Sequence, residues 1–131
     1  DTGVACALLG VDAATLQRER DMLGPLLETF VLQELRRQAS GRSEPLSFFH
    51  FRDRDDFEVD IVIERGAGQV AGVEVKAAAS VAERDLRGLR KLKEAAGRRF
   101  ASGVVLYDGE AGIDFGDGLY AVPLRTLWEG P

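Results

Sequence analysis

The sequence predicts a single domain in which helices and strands alternate, of the α/β or α+β class. Three observations carry this. Apolar residues recur at three- and four-residue spacing in two separate stretches, around 27–39 and 83–96, and at two-residue spacing between and after them. Turn-forming Gly, Pro and Asp clusters fall at each change of period. At 131 residues the chain is near the common domain size, so one core is expected over 1–131.

The first dozen residues, Asp1 to Asp12, read as an apolar segment that starts without cap or turn residues, as in an excised piece of a longer protein. Cys6 within it reads as buried packing. A helical stretch over Thr15–Met22 is expected to stop at Gly24-Pro25, with a new helix opening at Pro25, where the missing N–H is not needed. Leu27, Phe30, Val31 and Leu35 give that helix an apolar stripe to Ala39, and Gly41 lies just past its end. Leu46 to Phe51 reads as an aromatic strand closed by the polar turn Asp53–Asp56.

Phe57, Val59, Ile61 and Ile63 alternate with Glu58, Asp60, Val62 and Glu64; Gly66-Ala-Gly68 turns the chain, and Val73 and Val75 alternate with Glu74 and Lys76. These are two paired strands. Ser80-Val-Ala-Glu83 matches a capping box and Gly97 a stop, so 83–96 is a helix with Leu86, Leu89, Leu92 and Ala96 on its apolar side. Arg84, Arg87 and Lys91 fall on another side. Gly103–Tyr107 is a short apolar strand, 108–118 a Gly/Asp-rich loop, and Leu119–Val122 a last strand before Leu124–Trp128. The expected order is α-β-β-β-α-β-β.

Composition narrows the chemistry. With 45% hydrophobic and 30% charged residues the chain should fold, and no apolar run approaches the roughly 20 residues a bilayer needs. A soluble, cytoplasmic protein is the expectation. One Cys and one His exclude an internal disulfide and a thiolate or imidazole zinc site, so any metal would be held by oxygen. The net charge of −5 gives no bulk attraction to nucleic acid. Residues 83–99, however, hold seven basic against three acidic side chains, a net of +4 that leaves −9 elsewhere.

The hairpin carries the strongest chemical signal. A three-residue loop at 66–68 makes facing residues sum to 134, so Asp60 faces Glu74 and Glu58 faces Lys76 on one face. Two opposed carboxylates repel unless a cation lies between them. A register summing to 136 would instead set Asp60 against Lys76 as an ordinary ion pair. On the preceding helix, Glu28 is spaced with Val31, Leu32 and Leu35 and Glu34 with Leu27, Phe30 and Val31, so the spacing does not choose between them. His50 reads as a strand histidine satisfied by a neighbour, and Phe115 and Trp128 as core or edge packing.

An acid on one strand, Glu-Val-Lys on its partner, a helix glutamate before and a basic helix after together resemble the PD-(D/E)xK, or restriction-endonuclease-like, superfamily. Asp60 matches its first acid, Glu74 its second and Lys76 its lysine; Val59 stands where the pattern has Pro. More narrowly, the runs 1–10, Leu27–Val31 with Glu34-Leu35, Glu58-Val-Asp60, Val73–Ala77, Gly103–Tyr107 and Val122-Pro-Leu124 resemble the uncharacterised C-terminal domain of prokaryotic AAA-type ATPases. Their P-loop has no counterpart in this chain.

The resemblance implies a restriction-endonuclease-like α/β core with a central mixed sheet flanked by helices. It favours Glu28 as a metal ligand, as in archaeal Holliday-junction resolvases, which carry such a glutamate four residues after a glycine like Gly24. Glu34 is then a structural acid paired with Arg37 or Arg99. Asp60, Glu74, Glu28 and the Val75 carbonyl would hold Mg²⁺ or Mn²⁺, and Lys76 would orient or deprotonate the attacking water. Arg84, Arg87 and Lys91 would contact DNA phosphates. The glutamine motif of some subfamilies is missing from the second helix. The function implied is a metal-dependent nuclease domain acting on DNA and joined to an ATPase module, as a symmetric homodimer in a resolvase-type version. A non-catalytic nucleic-acid- or protein-binding module is the alternative.

Overall fold

The structure, a computed structural model, describes residues 20–66 and 68–129, with side chains from residue 23 onward. The expectations for Asp1–Asp12, for Cys6 and for the start of the Thr15–Met22 helix lie outside these residues. By backbone proximity the chain divides into two compact units, 1–41 and 42–131.

The first unit contributes helix α1 (Arg20–Ala39). It runs through Gly24-Pro25, so the expected break there is absent. Proline removes one helical hydrogen bond, to the carbonyl four residues back. Helix-forming Leu and Glu residues on the C-terminal side carry the helix past that gap. Leu26 and Val31 are buried, and Leu27, Phe30 and Leu35 are half-buried, so the expected stripe is real. The helix ends as predicted, with the Ser40 N–H donating to the Arg36 carbonyl at 3.0 Å.

The second unit is a six-stranded mixed sheet of order β1-β2-β3-β4-β6-β5, built from β1 (Leu46–Arg52), β2 (Glu58–Arg65), β3 (Val70–Lys76), β4 (Phe100–Tyr107), β5 (Ile113–Gly116) and β6 (Leu119–Pro123). β1, β2 and β3 form an antiparallel meander. A 3₁₀ turn (Glu83–Leu86) and helix α2 (Arg87–Ala96) then carry the chain to β4, which lies parallel to β3, and β6 continues parallel to β4.

Each turn has a local cause. The Asp53 carboxylate accepts the N–H groups of Asp55 and Phe57, both at 2.9 Å, which fixes the β1–β2 turn. The Gly68 N–H donates to the Arg65 carbonyl at 3.1 Å across the β2–β3 loop, where Gly66 has φ +59°. Strand β5 corrects the expected loop 108–118. Asp117 and Gly118, with φ of +57° and +78°, form a two-residue hairpin loop joining β5 to β6.

Helix α2 lies over one face of the sheet and closes the core. Leu86, Leu89 and Leu92 are buried with Val59, Val62, Val70, Val105, Tyr107, Leu119 and Ala121. Gly72 makes room for it: a Cβ there would lie 2.6 Å from a Leu89 methyl and 2.7 Å from a Leu92 methyl. The 83–96 helix is thus placed as expected, but its cap is not Ser80. The first cap is at Ala82, whose N–H donates to the Asp85 carboxylate at 2.7 Å.

Val59 and Val62 share the core although they are three apart, which strict alternation forbids. The β1–β2 pairing explains it. Phe49 pairs with Val62 and Phe51 with Val59, so Asp60 and Ile61 together stand opposite His50 in a β-bulge. His50 itself is exposed on this outermost strand; Phe115 packs against the core, and Trp128 is half exposed. Among the described residues no helix is long and apolar enough to cross a membrane.

Leu89 is fully buried at the centre of the helix–sheet contact. Leu89→Ala should lower unfolding free energy by about 3 kcal/mol with little change in the denaturant slope, measured by urea titration.

Candidate active site on the β2–β3 hairpin

The hairpin takes the 134 register. Ile61 pairs with Val73, Val62 with Gly72, Ile63 with Ala71 and Glu64 with Val70. Beyond Ile61 and Val73 the side chains take over from the backbone ladder. The Asp60 N–H donates to the Glu74 carboxylate at 3.2 Å, and the Val75 N–H donates to the Asp60 carboxylate at 2.8 Å. Each acid thus accepts a backbone hydrogen from the other's strand, which offsets part of the repulsion between them. On its other side, the β1–β2 bulge falls at the same point, Asp60–Ile61.

Lys76 ends β3, two residues beyond Glu74, in register with the buried Tyr107 of β4. Glu58, expected to face it, is taken instead by Arg52, whose Nε lies 2.7 Å from a Glu58 carboxylate oxygen. That guanidinium holds the Glu58 carboxyl below its usual range. Lys76 pairs with Asp85, Nζ to Oδ2 at 2.5 Å, with both side chains about three-quarters or more buried. Burial pushes the Asp85 carboxyl up, but the Lys76 ammonium and the Ala82 N–H outweigh it and hold the group below its ordinary value.

The first turn of α2 completes the surroundings. A Cβ on Gly88 would lie 2.0 Å from the Glu58 carbonyl oxygen and 3.4 Å from a Glu74 carboxylate oxygen. Only glycine permits this approach, and it sets the positive end of the helix beside Glu74. Sequence reading missed both Gly88 and Asp85. Gly88 had no motif around it, and Asp85 entered only as one charge in the basic segment.

The basic residues divide. Among the described residues Arg84 and Arg87 are exposed and make no ion pair, whereas Lys91 lies 3.9 Å from Glu94 and over the Phe57 ring at 5.3 Å. Arg90 is held by Glu83 and Asp117, and Arg99 by Glu64 at 2.6 Å. In the first unit, Glu34 pairs with Arg37 at 2.6 Å, and Arg37 with Gln38 lowers its carboxyl to about 2. Arg37, not Arg99, is its partner. Glu28 lies half-buried on the same helix.

Among the described residues no three His, Cys, Asp or Glu side chains stand together as a metal-binding group. Two carboxylates with backbone and water oxygens are a donor set of the kind Mg²⁺ takes. Asp60 Oδ1 also accepts no hydrogen bond among the described residues.

Residues 23–127 match the family described as "Domain of unknown function (DUF4143)". The chain belongs to this family. No curated protein matches it. Among solved structures the DUF4143 domain is similar to a chain described as "Refined half-complex from tetradecameric assembly of Thermococcus gammatolerans McrB AAA+ hexamers with bound McrC". The identity is 16% and the TM-score 0.49, over 76% of this chain and 27% of that one.

Two outcomes follow for the DUF4143 domain. In Gly88→Ala the clash with the Glu58 backbone should outweigh the roughly 1 kcal/mol gained in helix propensity and destabilise the fold by about 2 kcal/mol, read by thermal denaturation. The Lys76–Asp85 pair should also show in acid. With the folded Asp85 carboxyl lowered, its stabilisation is complete above its unfolded value and lost as pH falls through the lower folded one. The stability gap between wild type and Asp85→Asn should therefore be widest near neutral pH and close below about pH 4.

Proposed function

We propose that this DUF4143 domain is a divalent-metal-dependent nuclease module that acts on DNA phosphodiester bonds and works joined to an AAA-type ATPase. The observation that carries the reading is the exchange of backbone hydrogen bonds between the Asp60 and Glu74 strands, which brings two acids together two residues from Lys76. The topology supports it: the first acid lies on β2, Glu74-Val-Lys76 on the antiparallel partner β3, and a crossover helix leads to parallel β4. This is the arrangement expected of a restriction-endonuclease-like core. The ATPase connection rests on the sequence resemblance.

Asp60 and Glu74 would hold Mg²⁺ or Mn²⁺. A residue's N–H and C=O point to the same neighbouring strand, so the Val75 carbonyl is directed toward the β2 side, where its N–H meets Asp60. Glu28 is the further ligand that the resemblance implies. The ion, when bound, supplies a water of lowered pKa and charge for the transition state. Lys76 would orient that water and offset charge on the phosphate. Arg84 and Arg87, exposed on the turn and the start of α2, would hold neighbouring phosphates, with Lys91 as a weaker contributor because of Glu94 and Phe57.

One observation favours a second reading, a non-catalytic module that binds nucleic acid or protein. Both carboxylates already serve the fold by closing the end of the hairpin, and Lys76 is already engaged by Asp85.

The readings separate experimentally. Mg²⁺ or Mn²⁺ should raise the melting temperature and support nicking of plasmid or branched DNA. Asp60→Asn keeps an acceptor for the Val75 N–H and removes one of two opposed charges, so the metal-free protein should stay as stable while the metal response and nicking vanish. Lys76→Ala should lose nicking and keep the metal response. A metal response without cleavage of any DNA, with the ATPase portion joined, would leave the binding module. Separately, Arg84→Glu with Arg87→Glu should weaken DNA binding and reduce its logarithmic salt slope by roughly one per lost phosphate contact. Unchanged affinity at low salt would assign both arginines to a solvated surface.

A further inference from the structure

We infer that Asp85 is the positioning residue for Lys76, holding its ammonium at a fixed point at the end of the strand that carries Glu74. The inference rests on the reading of Lys76 as the group that meets water or phosphate. Asp85 is itself fixed by the backbone. Its N–H donates to the Ala82 carbonyl at 2.9 Å, and its Oδ2 accepts the Ala82 N–H at 2.7 Å. That closed ring leaves the carboxylate little freedom, and the same oxygen lies 2.5 Å from Lys76 Nζ.

The other end of the lysine is fixed too. Its backbone ends the β3–β4 ladder opposite buried Tyr107. A lysine stem has four rotatable carbons and much rotamer freedom to lose on being placed. Anchored at both ends, it has lost that freedom before any substrate arrives. An ammonium has three donors, and Asp85 takes one, so two remain for a water or a phosphate oxygen. Asp85 also comes from the crossover turn, so the lysine's position is tied to the element that carries Arg84 and Arg87. A phosphate held by those arginines would thus meet a lysine fixed in the same frame.

The test uses Asp85→Ala together with Asp85→Ser, which keeps an oxygen for the Ala82 N–H if the first variant folds poorly. The lysine ammonium groups are observed directly in ¹H–¹⁵N spectra, with Lys76→Ala assigning the resonance. Wild type should show a slowly exchanging Lys76 ammonium signal that disappears in both Asp85 variants, while the Lys91 signal is unchanged. Nicking should fall about tenfold, with the DNA concentration for half-maximal rate moved less than about twofold and the Mn²⁺ melting shift retained. A Lys76 signal absent from wild type or persisting in Asp85→Ala, or full nicking by that variant, would overturn the inference. If wild type cuts no DNA but the signal still depends on Asp85, the hold on Lys76 stands and the nuclease reading alone falls.

Discussion

The site depends on one exchange at the end of the β2–β3 hairpin. Where the ladder stops, Asp60 and Glu74 each accept a backbone N–H from across the gap. Two acids so close would ordinarily drive the strands apart. Here the two hydrogen bonds oppose that repulsion. Lys76, two residues beyond Glu74 on β3, is paired with Asp85.

The rest of the second unit serves this exchange by placement. β3 lies inside the sheet, antiparallel to β2 and parallel to β4, so Glu74, Val75 and Lys76 are presented from a strand supported on both sides. Helix α2 seats over Gly72 and approaches Glu58 and Glu74 at Gly88, two positions where a methyl group would have no room. Packing of Leu86, Leu89 and Leu92 therefore fixes the distance of the helix start from the acids. Core packing and site geometry are the same constraint seen from two sides.

Much of this was legible in the sequence, and the exceptions share a cause. The 134 register followed from a three-residue loop and two-residue alternation, both local. The apolar side of α2 followed from leucines at 86, 89 and 92. The bulge at Asp60–Ile61 was not legible, because it is set by how β1 pairs. Asp85 was not, because its link to Lys76 spans nine residues and a turn whose cap moved from Ser80 to Ala82. The helix through Pro25 shows neighbouring propensity overriding one lost hydrogen bond. β5 is different: Asp117-Gly118 is a hairpin signal in the sequence itself, within the Gly/Asp-rich stretch 108–118.

Asp60 and Glu74 are proposed to hold a cation together. The most direct measurement is an anomalous difference map from crystals grown or soaked in millimolar Mn²⁺. The account predicts one peak within coordination distance of an oxygen from each of Asp60 and Glu74, absent in Asp60→Asn crystals treated alike. A wild-type map with both carboxylates ordered and no peak between them would contradict it.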